Sequence, residues 1–376
     1  MSQVVIFRHL KKGFSMAVEK HTSNLAVEGL NALTFTRFFA ALLVVAFHFS
    51  AGVPPFDNKI IEAFVSRGQL AVAYFFLLSG FIMTRVYANE SGMVNKGKFW
   101  LARFARIYPV YLLSLVVMYS LGNYEGTTVA LNVFMLQAWS EKHALTMNVP
   151  GWSLSVEVFF YACFPWVLPW LTRRRVVVAA VVAAIAMLLH DRIIPLPWHT
   201  LEKLPLPWPD LTGPYSPIRN LPFFLIGAVL GACTKWKMIP RMPGRLASIV
   251  AVASIVLPVV WIHNAIPLVA IPFSILILSL AQGDGVVQKA MSHKVPVFLG
   301  EASYALYILH YPLMIWYYNA VVLPFELSRT AMFYSYLVIL IALSCLVFRF
   351  IETPARRLIR SYRSDAARPS AQSATT

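Results

Sequence analysis

Charge is what this sequence has least of. Asp and Glu together number 16 in 376 residues, and all charged residues make up 13%. An ordinary soluble domain carries about 25%, so a water-exposed surface of the usual kind is excluded. Cysteine is scarce too: Cys163, Cys233 and Cys345 fall in separate apolar segments with no CxxC or other metal spacing. That excludes a disulfide framework and a cysteine-based metal site and leaves small packing residues. No GxGxxG, Walker A, HExxH or GxSxG pattern occurs, nor any repeat of solenoid length or inverted repeat.

What fills the sequence instead is hydrocarbon. Hydrophobic residues make up 59% and the mean hydropathy is +0.65. Ten segments approach the roughly 20 apolar residues that cross a bilayer. They lie at about 33–52, 69–87, 107–122, 151–172, 176–190, 217–234, 246–263, 266–282, 297–317 and 330–350. The fold class expected is all-α, a polytopic membrane helix bundle of about ten transmembrane helices with both termini cytoplasmic. Residues 1–30 form a basic cytoplasmic segment without a signal-peptide core. Residues 31–360 form one membrane domain, and the Ser/Ala/Arg-rich tail 361–376 is expected to be disordered.

The formal charge of +16 does not point to nucleic acid, because the basic residues sit in short loops between apolar runs. Of the 32 Lys and Arg, seven fall in the loops assigned outside, which leaves 25 on the cytoplasmic side, Arg173-Arg174-Arg175 among them. Moving one span would invert half of that bias. Residues 128–138, VALNVFMLQAW, are apolar but short. They read as a re-entrant or interfacial helix on the outer side, where irregular backbone lines a cavity. The Pro-rich loop around 194–217 is too short for a domain.

Arg37 and His48 share the first span, LTFTRFFAALLVVAFHFSAG, with ten residues between them. Eleven steps of about 100° bring both side chains to one helical face, about 16 Å apart along the axis. Each ionisable group in a membrane helix costs about 2.5–3.5 kcal/mol on insertion scales, so two on one face imply a polar cavity. Arg103 and Arg106, in FWLARFARIYPVY, share a face at the cytoplasmic start of the third span. With Arg37 they form a three-guanidinium mouth suited to phosphate, which the planar fork pairs bidentately. The bland alternative is that arginines at cytoplasmic helix ends are anchors. Glu157, in GWSLSVEVFFY, and His310, in GEASYALYILHYPL, are expected at the depth of His48. There a carboxylate orients an imidazole and a second histidine completes a catalytic group. Ser79-Gly80 reads as cavity lining or helix packing, and Glu301 and Tyr304 as members of a polar network. Glu352 reads as an ion-pair anchor, and Trp152, Tyr161, Trp166, Trp170, Trp316 and Tyr318 as interfacial aromatics.

These segments together resemble the acyltransferase 3 family of multi-pass bacterial membrane acyltransferases. The Arg-x10-His of the first span, AYFFLLSGFIM, the Arg-x2-Arg of FWLARFARIYPVY, GWSLSVEVFFY, FFLIGAVLG, GEASYALYILHYPL and FIETPARRL match in the family's order. The match spans about residues 33–358. The resemblance implies an acyl-CoA donor, usually acetyl-CoA, no metal, and functional roles for Arg37, His48, Arg103 and Arg106. It implies transfer to a hydroxyl of an extracytoplasmic glycan, either a surface polysaccharide or a lipid-linked sugar, at the bacterial inner membrane. Membrane lipids and polysaccharide-assembly proteins are the expected partners. The sequence departs from the family in opening LTFTR rather than LDGLR, so an early acidic residue is missing. No SGNH-type domain follows, which puts chemistry and acceptor binding in the membrane part or in a partner. A transporter or flippase of a lipid-linked or anionic sugar, a structural subunit of an export assembly, and an acyltransferase of a small secreted metabolite are the rival readings.

The charge bias generates a first prediction. Single cysteines introduced near Pro54 and Leu323 will react with a membrane-impermeant maleimide from outside, and those in Arg173-Arg174-Arg175 will not. Outside labelling at 173–175 would overturn the ten-span layout.

Overall fold

The computed structural model describes residues 30–190, 213–261 and 266–365, and among these the chain is helical with no strand. The amino-terminal segment, most of the Pro-rich loop and most of the tail lie outside the described residues. Among the described residues, seven helices are long and apolar enough to cross a membrane, and three shorter apolar ones accompany them. All ten fall on the ten expected segments. In chain order the main helices are α1 (Leu30–Phe49), α2 (Lys59–Val65), α3 (Leu70–Tyr87) and α4 (Lys96–Leu121). There follow α5 (Gly126–Val133), α6 (Glu141–Ala144), α7 (Gly151–Val167) and α8 (Val176–Leu188). The remainder are α9 (Pro217–Lys235), α10 (Gly244–Trp261), α11 (Ala270–Gln282), α12 (Val286–Met291), α13 (Lys294–Tyr317), α14 (Arg329–Val347) and α15 (Thr353–Asp365).

Contacts at helix ends reproduce the alternation that the charge pattern requires. The end of α1 meets the start of α14, where the Tyr334 hydroxyl donates to the Pro54 carbonyl at 2.6 Å. At the opposite end of the bundle, α3, α7 and α9 finish together. There Trp236 Nε1 donates to the Leu171 carbonyl at 2.8 Å and Lys235 Nζ to the Arg85 carbonyl at 3.1 Å.

Two helix pairs touch backbone to backbone. A Cβ on Gly80 of α3 would lie 2.0 Å from the Phe224 carbonyl oxygen, and one on Gly227 of α9 would lie 1.8 Å from that of Leu77. On the other side of the bundle a Cβ on Gly300 of α13 would lie 2.1 Å from the Thr34 carbonyl of α1. Helices in lipid gain little from hydrophobic sorting and associate through such small-residue contacts. Aromatic rings fill the gap beside the first pair: Phe160 packs edge-on to Phe76 and stacks on Phe224, with centroids 5.2 and 4.8 Å away. The outward face of α8, with Val177, Val178, Val181, Val182 and Ile185 all exposed, is apolar, as a lipid-facing surface must be.

Two expectations about boundaries need adjustment. The third span begins at Lys96 rather than near 107, capped by Asn95, whose side chain accepts from the Lys98 amide. Arg103 and Arg106 therefore sit two to three turns inside α4, not at its start. The segment after α4 is short and non-spanning, as expected: α5 has eight residues and a 3-10 turn at Gln137–Trp139 follows. Its polar side chains point inward. Asn132, Gln137 and Asn148 are fully buried, and Gln137 Nε2 donates to the Gly151 carbonyl at 2.9 Å. This plug occupies one end of the bundle and makes α7 start below the surface, with Gly151 itself buried.

The glycine contacts generate a second prediction. Gly227→Val will lower stability by about 3 kcal/mol, the upper end for overpacking, read as a reduced melting temperature in detergent. Gly126→Ala, with nothing within 4 Å of the added Cβ, will melt as the parent does. Equal melting of all three proteins would show that α3 and α9 are not in backbone contact.

Candidate active site

Five helices converge on a cavity of about 260 Å³. α1 contributes Arg37, α3 Ser79 and Tyr87, α4 Arg103 and Arg106, α7 Ser153, Glu157 and Tyr161, and α13 Glu301, Tyr304 and Tyr307. All three arginines singled out in the sequence thus line one space. The longer α4 explains how: its extra turns carry Arg103 and Arg106 into the bundle, where α1 presents Arg37.

Tyrosines hold the guanidinium of Arg103. Arg103 Nη2 donates to the Tyr87 hydroxyl at 3.3 Å, and its guanidinium carbon lies 5.6 Å from the Tyr87 ring centroid and 5.8 Å from that of Tyr161. Both are cation–π distances. Its buried Nε has no hydrogen-bond partner, so one donor of the fork stays unused. Arg37 lies within Coulombic range of Arg106, Glu157 and Glu352. Glu157 balances part of this charge from the cavity wall, where its Oε1 accepts from Ser79 Oγ at 3.1 Å and from the Tyr161 hydroxyl. The Tyr304 hydroxyl donates to the Ile107 carbonyl at 2.5 Å and ties α13 to α4 one residue beyond Arg106.

The two histidines lie elsewhere, and together. The His48 and His310 rings are 5.4 Å apart and 29° from parallel. His48 is exposed at its end of the bundle, while His310 is fully buried. His310 Nδ1 lies 2.5 Å from the Tyr307 carbonyl oxygen. A carbonyl only accepts, so Nδ1 carries the hydrogen and the neutral ring keeps its lone pair on Nε2, which has no hydrogen-bond partner. Tyr307 links the two regions. Its side chain lines the cavity and bonds Ser153 Oγ at 2.8 Å, and its carbonyl fixes the imidazole one turn on.

The expected meeting of Glu157 with His48 does not occur. Ser153 faces Tyr307, and from that level Glu157 lies one turn one way while His310 lies about one turn the other. The buried start of α7 beneath the plug is the cause: entering from the surface, Glu157 would have stood at the histidines' depth. It belongs to the arginine cavity. Tyr161 is likewise not interfacial but almost wholly buried. Its place four residues after Glu157, on the same helical face, was the signal that it shares the site. Ser79 lines the cavity while Gly80 packs, and Glu301 and Tyr304 are both lining residues. Glu352 pairs with Arg356 at 3.5 Å, as an anchor should. Tyr87 and Tyr307 carried no signal, since aromatics are too frequent here for one to stand out.

Among known proteins, the chain is similar to the acyltransferase MdmB of Streptomyces mycarofaciens, at 28% identity over 90% of this chain and 95% of that one. It is similar to the peptidoglycan O-acetyltransferase OatA of Listeria monocytogenes at 23% identity, over 88% of this chain and 56% of that protein. The O-acetyltransferase OatA of Staphylococcus aureus matches at 22% identity over 90% and 59% respectively. The chain thus spans little more than half the length of the two OatA proteins. No solved structure matches. A model of the acyltransferase domain matches residues 30–349, the whole helical bundle up to the turn before α15, and the chain therefore belongs to the acyltransferase 3 family.

Proposed function

We propose that this multi-pass membrane acyltransferase is an O-acetyltransferase that moves an acetyl group from cytoplasmic acetyl-CoA to a hydroxyl of an extracytoplasmic glycan across the bacterial inner membrane. The observation that carries the reading is the convergence of Arg37, Arg103 and Arg106 on one cavity, with His48 about 16 Å further along the helix that carries Arg37 and stacked on His310 of α13. The names of the OatA relatives support acetyl as the group and a glycan as its acceptor.

On this reading the donor's phosphates rest against the guanidinium groups, which offer paired donors for phosphate oxygens. The pantetheine arm runs up the cavity past Tyr307 and delivers the thioester to His48. The acceptor hydroxyl reaches His48 from the exposed end. The imidazole takes the hydroxyl proton as the oxygen attacks the thioester carbonyl, the C–S bond breaks, and the proton is returned to the departing CoA sulfur. His310, held in one tautomer, stacks under His48 and orients it. Glu157 offsets the charge of the arginines rather than acting on the histidine. Mass spectrometry of surface glycans from a deletion strain and its parent tests the whole reading: the parent's glycan will be heavier by an acetyl group, and identical masses would remove glycan acetylation.

Two predictions follow from the residues. Replacing His48 by Ala or Gln will lower acetyl transfer by about 10²–10⁴-fold, the range for loss of a general base, with normal amounts of folded protein. His310→Gln, which keeps a hydrogen-bonding side chain, will retain measurable transfer. CoA release by purified protein reads both, and normal turnover by His48→Gln with a dead His310→Gln would reverse the roles. Arg103→Ala and Arg106→Ala will each weaken acetyl-CoA binding, with Lys restoring only part of it, because a point charge does not replace a bidentate fork. Unchanged donor affinity in both Ala variants would make these arginines anchors.

A further inference from the structure

The cavity holds about 260 Å³, below the roughly 300–1,000 Å³ of sites that enclose a compact small molecule. On the acyl-CoA reading, it admits the slender pantetheine arm, and the nucleotide end of the donor stays outside. What lies outside, next to Arg106, is α15. This helix continues α14 through a five-residue π-turn, Phe348–Glu352, and packs along α4. Such π-turns are frequent at functional sites, and this one sets the direction of the side chain that ends it.

The side chain aimed here is Glu352. It is fully buried, neither of its carboxylate oxygens has a hydrogen-bond partner, and among the described residues its ion pair is with Arg356 Nη1, at 3.5 Å. A buried carboxylate without hydrogen bonds is costly unless a cation is held against it, so Glu352 fixes where Arg356 stands. Arg356 in turn is within Coulombic range of both Arg106 and Arg360. Glu352, Arg356 and Arg360 are spaced four apart and share one face of the helix. Arg356 is half-buried and Arg360 exposed. A trail of guanidinium groups therefore leads from the cavity wall at Arg106 to the surface. Arginines that merely anchor a helix end in lipid headgroups need no buried acid to aim one of them inward.

We propose that Arg356 and Arg360 form a second anion subsite, outside the cavity, for the terminal phosphomonoester of the donor, the 3′-phosphate of CoA. The proposal rests on the acyl-CoA reading. Arg37, Arg103 and Arg106 serve the diphosphate and the arm, and the C-terminal helix recognises the nucleotide end. A phosphomonoester carries more charge than a diphosphate oxygen and offers three acceptor oxygens, which suits two forks one helical turn apart.

The experiment measures kcat and KM of the purified full chain in nanodiscs with acetyl-CoA and with 3′-dephospho-acetyl-CoA. The parent will show a KM about ten-fold lower for acetyl-CoA, the size expected of charge-assisted hydrogen bonds to one phosphate. Arg356→Ala will raise the acetyl-CoA KM to the dephospho value while changing the dephospho KM by less than about two-fold. Arg360→Ala will act in the same direction and, being at an exposed position, carries the test if Arg356→Ala does not fold. Arg349→Ala, an exposed basic residue on the π-turn, will change neither KM. A parent that does not distinguish the two donors, or variants that raise both KM values equally, would overturn the subsite while leaving the acyl-CoA reading intact. A parent that uses neither donor would end the acyl-CoA reading, and the subsite with it.

Discussion

Everything in this bundle is arranged around the cost of placing guanidinium groups inside an apolar protein. Arg37, Arg103 and Arg106 face one space, where like charges repel. The chain answers in three ways. Glu157, held by Ser79 and Tyr161, supplies opposite charge from the wall. The rings of Tyr87 and Tyr161 accept the face of Arg103. Glu352, buried outside the cavity lining, sets a further carboxylate within Coulombic range of Arg37 and Arg106. The cations are thus accommodated without being consumed, and Arg103 keeps an unused donor. A site fully neutralised by close carboxylates would have nothing left to offer an anion.

The histidine pair follows a different rule. There the protein supplies one backbone carbonyl, and that carbonyl decides which nitrogen of His310 carries its hydrogen. The charge-rich cavity and the charge-poor histidine pair are separated along the bundle and joined by Tyr307. On the acyl-CoA reading proposed above, this separation matches a donor that is strongly anionic at one end and neutral at the other.

Much of the fold was legible in the sequence, because hydrocarbon thickness and loop charge are simple constraints. All ten apolar segments became helices, and the end contacts of α1, α3, α7, α9 and α14 agree with the charge-derived alternation. The arginines were legible too, since a charge on an apolar helix is conspicuous. The depth of Glu157 was not. It depends on how far below the surface α7 begins, and that is set by the buried amides of the preceding plug. A hydropathy pattern counts residues from a presumed surface and has no access to such an offset. The start of α4 was missed for a related reason: Lys96, Lys98, Arg103 and Arg106 dilute the apolar signal over turns that are helical through capping and packing.

The backbone contacts of α3 with α9 also decide where the bundle is compliant. Over Leu77–Phe81 and Phe224–Gly231 the two helices cannot slide or rock without driving carbonyl oxygens into Cα atoms, so one wall of the cavity behaves as a fixed beam. Facing it are α4 and α13, each with a proline in its interior, Pro109 three residues after Arg106 and Pro312 two after His310. Proline removes a rung of the helical ladder and leaves a bend. One missing rung therefore lies beside the arginine pair on α4 and another beside the buried histidine on α13, so the segments that present these side chains have fewer backbone restraints than the clamped stretch of α3.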